Sequence, residues 1–225
     1  MQDKNDQVVA RLQKLEKFKE MGIEAYPHSF NRSHDSCLLK EKKEEFLANE
    51  TTISFAGRVV RFNRKGKVCF MHLKDRYGRL QVVCARDIVG EENYEVVKLI
   101  DLGDFIGVEG VMFETQTGEY SVKVSSVKML SKAVRPLPTP KEKIDENGNK
   151  IIFNEFADVD TRYRQRYTDM ALNDDVKDVF IKRSKIMQSI REYLIEQGFI
   201  EVETPTLQPI YGGANARPFT THHNA

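Results

Sequence analysis

A dense run of cations with phenylalanines between them is the stretch of this sequence with the clearest chemical potential. Phe62 lies within the run, and Phe70 and Gln81 follow it. Cations bind phosphates, exposed rings stack on unpaired bases, and an amide both donates and accepts hydrogen bonds at a base edge. The pattern indicates a surface for single-stranded nucleic acid, although the same rings could equally form a hydrophobic core. The cations, with no acid among them, are Arg58, Arg61, Arg64, Lys65 and Lys67.

A glycine-rich loop near the C-terminus is the second place where ligand chemistry is expected. Gly212, Gly213 and Ala214 have little or no side chain, so a ligand can approach their main-chain groups closely. The pattern is weak by itself, because most glycine pairs only form turns. Whether this loop binds a ligand therefore depends on the sequence around it.

The cysteines and histidines lack the spacing of a metal site. Cys37, Cys69 and Cys84 include no CxxC pair, which also argues against a disulfide scaffold. His222 and His223 are adjacent, so on a strand they would point to opposite faces and could not easily share one ion. We expect three thiols in a reducing cytosol and no bound metal.

The candidate nucleic-acid surface requires a sheet to position it, and residues 51–131 predict one. Apolar and polar positions alternate in runs that turn residues separate, and one helical segment follows the third run. Three strands, a helix and two strands is the order of an OB-fold, a five-stranded barrel that binds single-stranded nucleic acid. The expected strands are 53–62, 68–73, 79–85, 105–115 and 120–130, with the helix at 91–100.

Helical and linking segments flank this barrel. Residues 1–50 predict an N-terminal helical segment, with helices at 5–21 and 39–48. Residues 132–157 predict a linker, because a proline-rich stretch cannot be helical and a turn signal near Asn147 indicates a surface hairpin.

A long amphipathic helix organises the last part of the chain. Apolar residues recur at steps near three and four from Val176 to Leu194, and Gly198 is typical of a helix C-cap. Residues 199–203 predict a short strand that ends at Thr204 and Pro205.

This helix, strand and proline resemble motif 1 of the class II aminoacyl-tRNA synthetases. The run YGGANARPFTTHHNA, residues 211–225, is similar to the lysine–tRNA ligases in particular, as are GIEAYP at 22–27 and RYRQRY at 162–167. The resemblance implies an α+β fold, in which the OB-fold with its N-terminal helix precedes the first part of an antiparallel α/β catalytic domain. That domain would start within residues 158–225, with motif 1 at about 176–205.

The resemblance implies roles for the barrel face. In the lysine–tRNA ligases, a phenylalanine and a glutamine at positions matching Phe70 and Gln81 read the uridine-rich anticodon, with Arg58 in a supporting position. With Phe62 and Arg64 from the cationic run, these residues are the candidates for binding the anticodon loop of tRNA(Lys).

The resemblance also implies roles for the C-terminal stretch. Main-chain groups of Gly212, Gly213 and Ala214 would meet the α-amino end of lysine. Motif 1 builds a dimer interface in this family, so we expect a homodimer. The expected interface residues are Phe180, Met187, Ile190 and Pro205.

The implied reaction is the ATP-dependent activation of lysine to lysyl-adenylate, followed by its transfer to tRNA(Lys). The ligands for ATP and Mg²⁺ would lie beyond Ala225, so no catalytic residue is expected within this chain. We expect a truncated or partial enzyme that is inactive alone.

Composition sets broader limits. The 225 residues carry 35 Lys and Arg against 34 Asp and Glu, so a net charge of +1 requires any nucleic-acid affinity to come from a local patch. The N-terminus lacks a secretory signal and no apolar run could span a membrane, which indicates a cytoplasmic protein. Two alternatives stay open: an aspartate- or asparagine-type class II enzyme fragment, and a non-catalytic OB-fold RNA-binding module.

Overall fold

The structure, a computed structural model, describes residues 6–138, 141–144, 150–153, 156–205, 219 and 221–222, without the side chains of 141–144 and 150–153. The chain divides into two compact units, Met1–Glu155 and Phe156–Ala225. The helices of the first unit are α1 (Asp6–Glu20), α2 (Ser36–Glu41), α3 (Lys43–Asn49), α4 (Arg86–Val89) and α5 (Glu91–Leu99). Its strands are β1 (Ile53–Lys65), β2 (Val68–Lys74), β3 (Arg79–Ala85), β4 (Phe105–Glu114), β5 (Tyr120–Ser131), β6 (Lys141–Ile144) and β7 (Lys150–Phe153).

Strands β1 to β5 form a closed barrel in the order β1-β2-β3-β5-β4. Every neighbouring pair is antiparallel except β3 and β5, which run parallel and complete the closure. Alternate residues, such as Ile53, Phe55 and Val59 on β1, point inward and are buried. Gly110 is needed at a bulge of β4, because a Cβ there would lie 2.1 Å from the carbonyl oxygen of Lys123. The predicted OB-fold is confirmed.

A bulge in β1 changes which side chains face outward. Val59 pairs with Leu73 inside the barrel, but the next pair is Arg61 with His72, so Val60 has no partner in β2. This extra residue shifts the alternation by one position. Beyond the bulge, odd-numbered residues of β1 therefore point outward and even-numbered ones point inward.

Buried charges attach α1 to the end of β5. The Nζ of Lys132 lies 2.7 Å from Asp104 Oδ2 and 2.6 Å from Asp101 Oδ2, and the side chains of Lys132 and Asp104 are fully buried. From α1, Lys14 Nζ lies 2.6 Å from Asp101 Oδ1, and Arg11 Nη1 donates to the carbonyl of Ala133 at 2.7 Å. The N-terminal helix thus neutralises and covers charges that the barrel alone would leave exposed.

Two aspartates in this cluster have opposite pKa shifts. Burial raises the pKa of Asp104 above its ordinary value, and Lys132 opposes that rise only in part. Burial acts in the same direction on Asp101, but hydrogen bonds from Lys132 and Lys14 outweigh it and lower the pKa of Asp101. Lys132 is therefore the cation that both carboxyl groups depend on.

The second unit contains three helices: α6 (Val159–Arg164), α7 (Arg166–Leu172) and α8 (Asp174–Glu196). Asp169 joins them, since its buried carboxylate accepts hydrogen bonds from Arg162 Nε at 3.0 Å, Arg166 Nη1 at 2.5 Å and Asn173 Nδ2 at 2.7 Å. Gly198, at φ 85°, ends α8 as predicted. None of the described helices is long and apolar enough to cross a membrane.

Some expected elements differ in the structure. The helix predicted at 39–48 is the pair α2 and α3, because Lys42 interrupts it. The hairpin predicted in the linker is confirmed as β6 and β7. The strand predicted at 199–203 was wrong, since those residues are exposed and have no strand assignment. A strand needs a neighbour to satisfy its backbone groups, and none of the described residues pairs with this segment.

Replacing Lys132 tests the buried cluster. We expect Lys132→Met to lower the free energy of unfolding by about 3–5 kcal/mol, because Asp104 would stay buried without its cation and Asp101 would keep only Lys14. The shift in urea midpoint gives the measurement. Lys128→Met, at an exposed position of the same strand, is the matched control and should leave the midpoint nearly unchanged. Equal midpoints for both variants would contradict the assigned role of Lys132.

A pH series tests the turn between β2 and β3. Burial raises the pKa of Asp75, but donors on Ser36, Gly78 and Tyr77 outweigh it and lower the pKa below its ordinary 3.8. A lowered folded-state pKa contributes stability above pH 3.8, which is lost as the pH falls through the folded-state value. We expect the urea midpoint of Asp75→Asn to lie below that of the parent chain at pH 7 and to approach it toward pH 3. A pH-independent difference would contradict this expectation.

Candidate nucleic-acid interface

A cleft of about 540 Å³ opens on the outer surface of the barrel, beside α2 and α3. Its floor comes from neighbouring strands, and two lysines of the helices form part of its wall. Most of its lining is polar or charged, which suits a polar ligand better than an apolar one. The lining residues are Lys40, Lys43, Arg61, His72, Arg79, Leu80, Gln81, Glu119 and Tyr120.

Strand register brings the floor residues together in one row. Arg61 pairs with His72, His72 with Gln81, and Gln81 with Ser121, so side chains from four strands share one face of the sheet. Gln81 lines the cleft with 8% of its surface exposed, whereas Ser121 is fully buried and is not among the lining residues. Paired residues on neighbouring strands lie on the same face, with Cβ atoms about 5 Å apart. The row is therefore about as long as two or three bases placed side by side.

Glu119, in the turn before β5, connects the row through hydrogen bonds. His72 Nε2 lies 2.9 Å from Glu119 Oε1, and Gln81 Nε2 donates to Glu119 Oε2. The carboxylate of Glu119 only accepts, so it fixes the NH₂ end of the Gln81 amide toward itself, and Ser121 Oγ donates to Gln81 Oε1 at 2.8 Å. One N–H of Gln81 and the remaining lone pairs of Glu119 are left for a ligand.

Cations outnumber acids around the cleft. Lys40, Lys43, Arg61 and Arg79 line it, and Glu119 is its one carboxylate lining residue. Because the Glu119 carboxylate already accepts hydrogen bonds from His72 and Gln81, the cleft should attract an anion such as a phosphate.

A tyrosine in the lining has an unused polar atom. The Oη of Tyr120 is buried and has no hydrogen-bond partner among the described residues, and burial raises the pKa of this phenol. The Nζ of Lys43 lies 5.5 Å from the centre of the Tyr120 ring and 3.3 Å from Glu114 Oε2. A buried hydroxyl without a partner is costly, so a ligand or water that reached it would gain a hydrogen bond.

Of the candidate anticodon-binding residues, Gln81 lies in the cleft and Phe70 lies beside it. Phe70 is in the next row of the same outer face, where it pairs with Asn63 and Val83, and it is partly exposed. The amide of Gln81 and the ring of Phe70 share one face of the sheet, and their roles in binding RNA stay predictions.

The two arginine candidates lie outside the cleft lining. Arg58 Nη1 donates to the carbonyl of Gly103 at 3.1 Å, and its guanidinium lies 4.3 Å from the centre of the Phe105 ring. Arg64 pairs with Cys69, out of phase with the row, and is exposed near the end of β1. Arg61, which the sequence analysis named only as part of the cationic run, lines the cleft, and the roles of Arg58 and Arg64 in anticodon binding stay predictions.

Phe62 points toward the barrel interior, where it is partly buried against the core cluster, and its expected role in binding the anticodon stays a prediction. It pairs with the fully buried Met71 and packs against the core cluster. The bulge at Val60 is the reason, because it turns Phe62 inward and Arg61 outward. Of Phe62 and Phe70, the ring of Phe70 is therefore the one available to stack on a base.

Sequence reasoning missed several lining residues. The signal for His72 and Arg79 was present, since each lies two residues from a candidate on the same strand and so shares its face. Glu119 gave no local signal, because only the parallel pairing of β3 with β5 brings it next to Gln81. Predicting that Tyr120, Lys40 and Lys43 line the cleft would have required knowledge of how the helices pack.

The candidates in the second unit are only partly described. Gly212, Gly213 and Ala214, the expected lysine-binding loop, lie outside the described residues. On α8, Phe180, Met187 and Ile190 are 42%, 41% and 49% exposed, and Pro205 is also exposed. Their roles at a dimer interface stay predictions. Within the described part of the chain, no cluster of His, Cys, Asp or Glu could hold a metal ion.

Two family models match the chain. An OB-fold nucleic acid binding domain matches residues 53–130, and class II tRNA synthetases of the D, K and N type match residues 158–225. The first match covers the barrel with its cleft. The second covers α6, α7, α8 and the expected lysine-binding loop.

The chain is also similar to curated lysine–tRNA ligases over its whole length. It is 46% identical to those of Staphylococcus epidermidis and Streptococcus pneumoniae, and 43% identical to that of Staphylococcus saprophyticus. In each comparison the match covers 100% of this chain and 44% of the relative, so the chain spans less than half the length of these relatives. The resemblance to the lysine–tRNA ligases is confirmed.

A pair of phenylalanine variants tests the assignment of faces. We expect Phe62→Ala to lower the free energy of unfolding by about 2 kcal/mol or more, because it leaves a gap against the core. Phe70→Ala should change it by less than about 1 kcal/mol, since that ring contacts solvent on the outer face. Urea unfolding of both variants provides the measurement. The reverse order would place Phe70 in the core and remove it from the binding surface.

Proposed function

We propose that this chain, similar from end to end to the lysine–tRNA ligases, forms the tRNA-binding part of such an enzyme and reads the anticodon loop of tRNA(Lys). The supporting observation is the row of Arg61, His72, Gln81 and Ser121 with Glu119 bonded across it. This row lies on the outer surface of an OB-fold, which is a fold that binds single-stranded nucleic acid.

Hydrogen-bond chemistry at the row favours uridine. The free N–H of Gln81 and the guanidinium of Arg61 donate, and the carboxylate of Glu119 accepts. Uracil presents an acceptor, an N3–H donor and another acceptor on its pairing edge, which complements donors that flank a carboxylate. Cytosine places the acceptor N3 against the carboxylate instead, and two acceptors repel. A uridine-rich anticodon therefore fits this surface.

Stacking and charge supply most of the affinity in this proposal. Phe70 lies on the same face as the row, where its ring can stack on a base held at Gln81. Stacking on an aromatic ring contributes about 1–3 kcal/mol per base. The cations of the lining neutralise phosphates of the same loop, which makes binding depend on salt concentration.

The catalytic part of the proposal rests on the similarity to lysine–tRNA ligases. The full enzyme would join lysine to ATP in the presence of Mg²⁺, form lysyl-adenylate, and transfer lysine to the tRNA. Main-chain groups of Gly212, Gly213 and Ala214 would bind the α-amino end of lysine. Binding the anticodon on the barrel would hold the tRNA in register, so that its acceptor end meets the adenylate with little loss of entropy in that step.

The dimer proposal rests on α8 and the segment after it. The helix presents a stripe of half-exposed apolar side chains that includes Phe180, Met187 and Ile190. Contiguous apolar surface of this kind is typical of sites that contact other protein. In the assembled enzyme these residues and Pro205 would lie between two copies of the chain.

Phe70→Ala tests the stacking role. We expect it to weaken binding of a stem-loop RNA with a UUU anticodon by about 1–3 kcal/mol, measured by fluorescence anisotropy at fixed salt. Tyr77→Ala is the matched control, because it removes another exposed ring of the same unit that does not line the cleft. Equal affinity for the parent chain and Phe70→Ala would remove Phe70 from the site.

Glu119→Gln tests base recognition. The parent chain should prefer the UUU stem-loop over a UCU stem-loop, and the variant should lose about 1–3 kcal/mol of that preference because its amide can donate to cytosine N3. Glu109→Gln, an exposed acid of β4 away from the cleft, should keep the preference. If Glu119→Gln also keeps it, the row does not read the base and the proposed function is wrong.

A further inference from the structure

We propose that the helix pair α2 and α3 is a second wall of the RNA site, in which Lys40 and Lys43 bind the phosphate next to the base held at Gln81. This inference rests on the function proposed above. It adds a contact that the strands of the barrel do not provide. It also assigns binding residues to a segment that precedes the matched OB-fold domain.

The start of α2 is fixed to the strands that carry the row. Ser36 donates from its backbone N–H to Asp75 Oδ2 at 2.8 Å and from Oγ to Asp75 Oδ1 at 2.6 Å. Asp75 also accepts from the backbone of Tyr77 and Gly78, so one carboxylate holds both the β2–β3 turn and the helix. Because His72 and Gln81 lie on these two strands, α2 has a defined position relative to them.

Apolar burial fixes the other side of the helix pair. Leu39 on α2 and Phe46 on α3 both belong to the core cluster of the barrel. A helix that buries one face presents its other faces to its surroundings. Lys40 directly follows Leu39, Lys43 lies three residues before Phe46, and both lysines line the cleft.

The two lysines are available to an anion. Within the described part of the chain, Lys40 makes no ion pair, and Lys43 contacts the half-exposed Glu114 at 3.3 Å. Exposed pairs of this type contribute little, so exchanging Glu114 for a phosphate would cost little free energy. Arg79 lines the same cleft, and three cations around one opening suit a phosphodiester.

The buried hydroxyl of Tyr120 gives independent support. Its Oη is buried without a partner among the described residues, and Lys43 Nζ lies 5.5 Å from the centre of the same ring. A ligand that enters between α3 and the row would reach this hydroxyl. A phosphate oxygen can accept its hydrogen bond, whereas a base stacked on Phe70 would lie one row away.

Lys42 provides a matched control on the same segment. It has the same charge and lies between the two candidates, but it pairs with Glu45 at 3.2 Å and does not line the cleft. A long-range charge effect would treat all three lysines alike. A phosphate contact would depend on Lys40 and Lys43 only.

The experiment measures the salt dependence of RNA binding by the 225-residue chain. A single-stranded contact contributes a slope of about 0.7 in log affinity against log salt for each neutralised phosphate. Because the two lysines share one phosphate, the double variant Lys40→Gln with Lys43→Gln should lower the slope by about 0.7 on the UUU stem-loop, and Lys42→Gln should leave it unchanged. The double change to arginine should retain the slope, which excludes loss of folding as the cause.

Two outcomes would overturn the inference. Either the double glutamine variant keeps the parent slope, or Lys42→Gln lowers it as much as a single change at Lys40 or Lys43. The Glu119→Gln variant, measured in the same series, separates this failure from failure of the proposed function. If Glu119→Gln changes the base preference while the lysine variants keep the parent salt slope, only the proposal of a second wall is wrong.

Discussion

The extra residue in β1 decides what the barrel presents to a ligand. Val60 has no partner in β2, so the alternation shifts and the cation Arg61 faces outward while the ring of Phe62 fills the core. Without this shift, Arg61 would have to be buried and Phe62 would be exposed to water. Burying an unpaired guanidinium costs far more than burying a ring, so the register on both sides of the bulge is strongly fixed.

Fixed register makes the row of polar side chains rigid before any ligand arrives. Gln81 is held by Ser121 on one side and by Glu119 on the other, and His72 holds the second oxygen of Glu119. A preorganised amide and carboxylate lose little entropy on binding, and they penalise a base whose donors and acceptors are misplaced. The same network explains how a carboxylate can remain in a cleft that is otherwise lined by cations.

The sequence predicted elements well where the signal was local. Strands β1 to β5 and helix α5 were found because alternation, turn residues and helical spacing each act over fewer than about fifteen residues. The place of Phe70 and Gln81 on the binding face followed from the family resemblance, since the residues alone left a position in the core equally open. The lining by Lys40 and Lys43 could not be predicted in this way, since it depends on how α2 packs on distant strands.

Two departures from the sequence-based expectation have physical causes that a linear sequence hides. Phe62 was expected on the binding face because the residues around Val60 do not indicate a bulge. A bulge depends on the pairing of two strands and cannot be recognised in one of them alone. Glu119 was overlooked because its neighbour Gln81 is 38 residues away and the parallel pairing of β3 and β5 joins them.

The contacts of Arg11 affect the order in which the segments of this unit can fold during synthesis. Its partners, the carbonyls of Leu102 and Ala133, follow it by 91 and 122 residues. A fifteen-residue helix is marginal by itself in water, so α1 leaves the ribosome long before anything exists that can hold it. Nascent α1 therefore lacks these two partners until β5 has been synthesised, so α1 is among the last segments of this unit to settle.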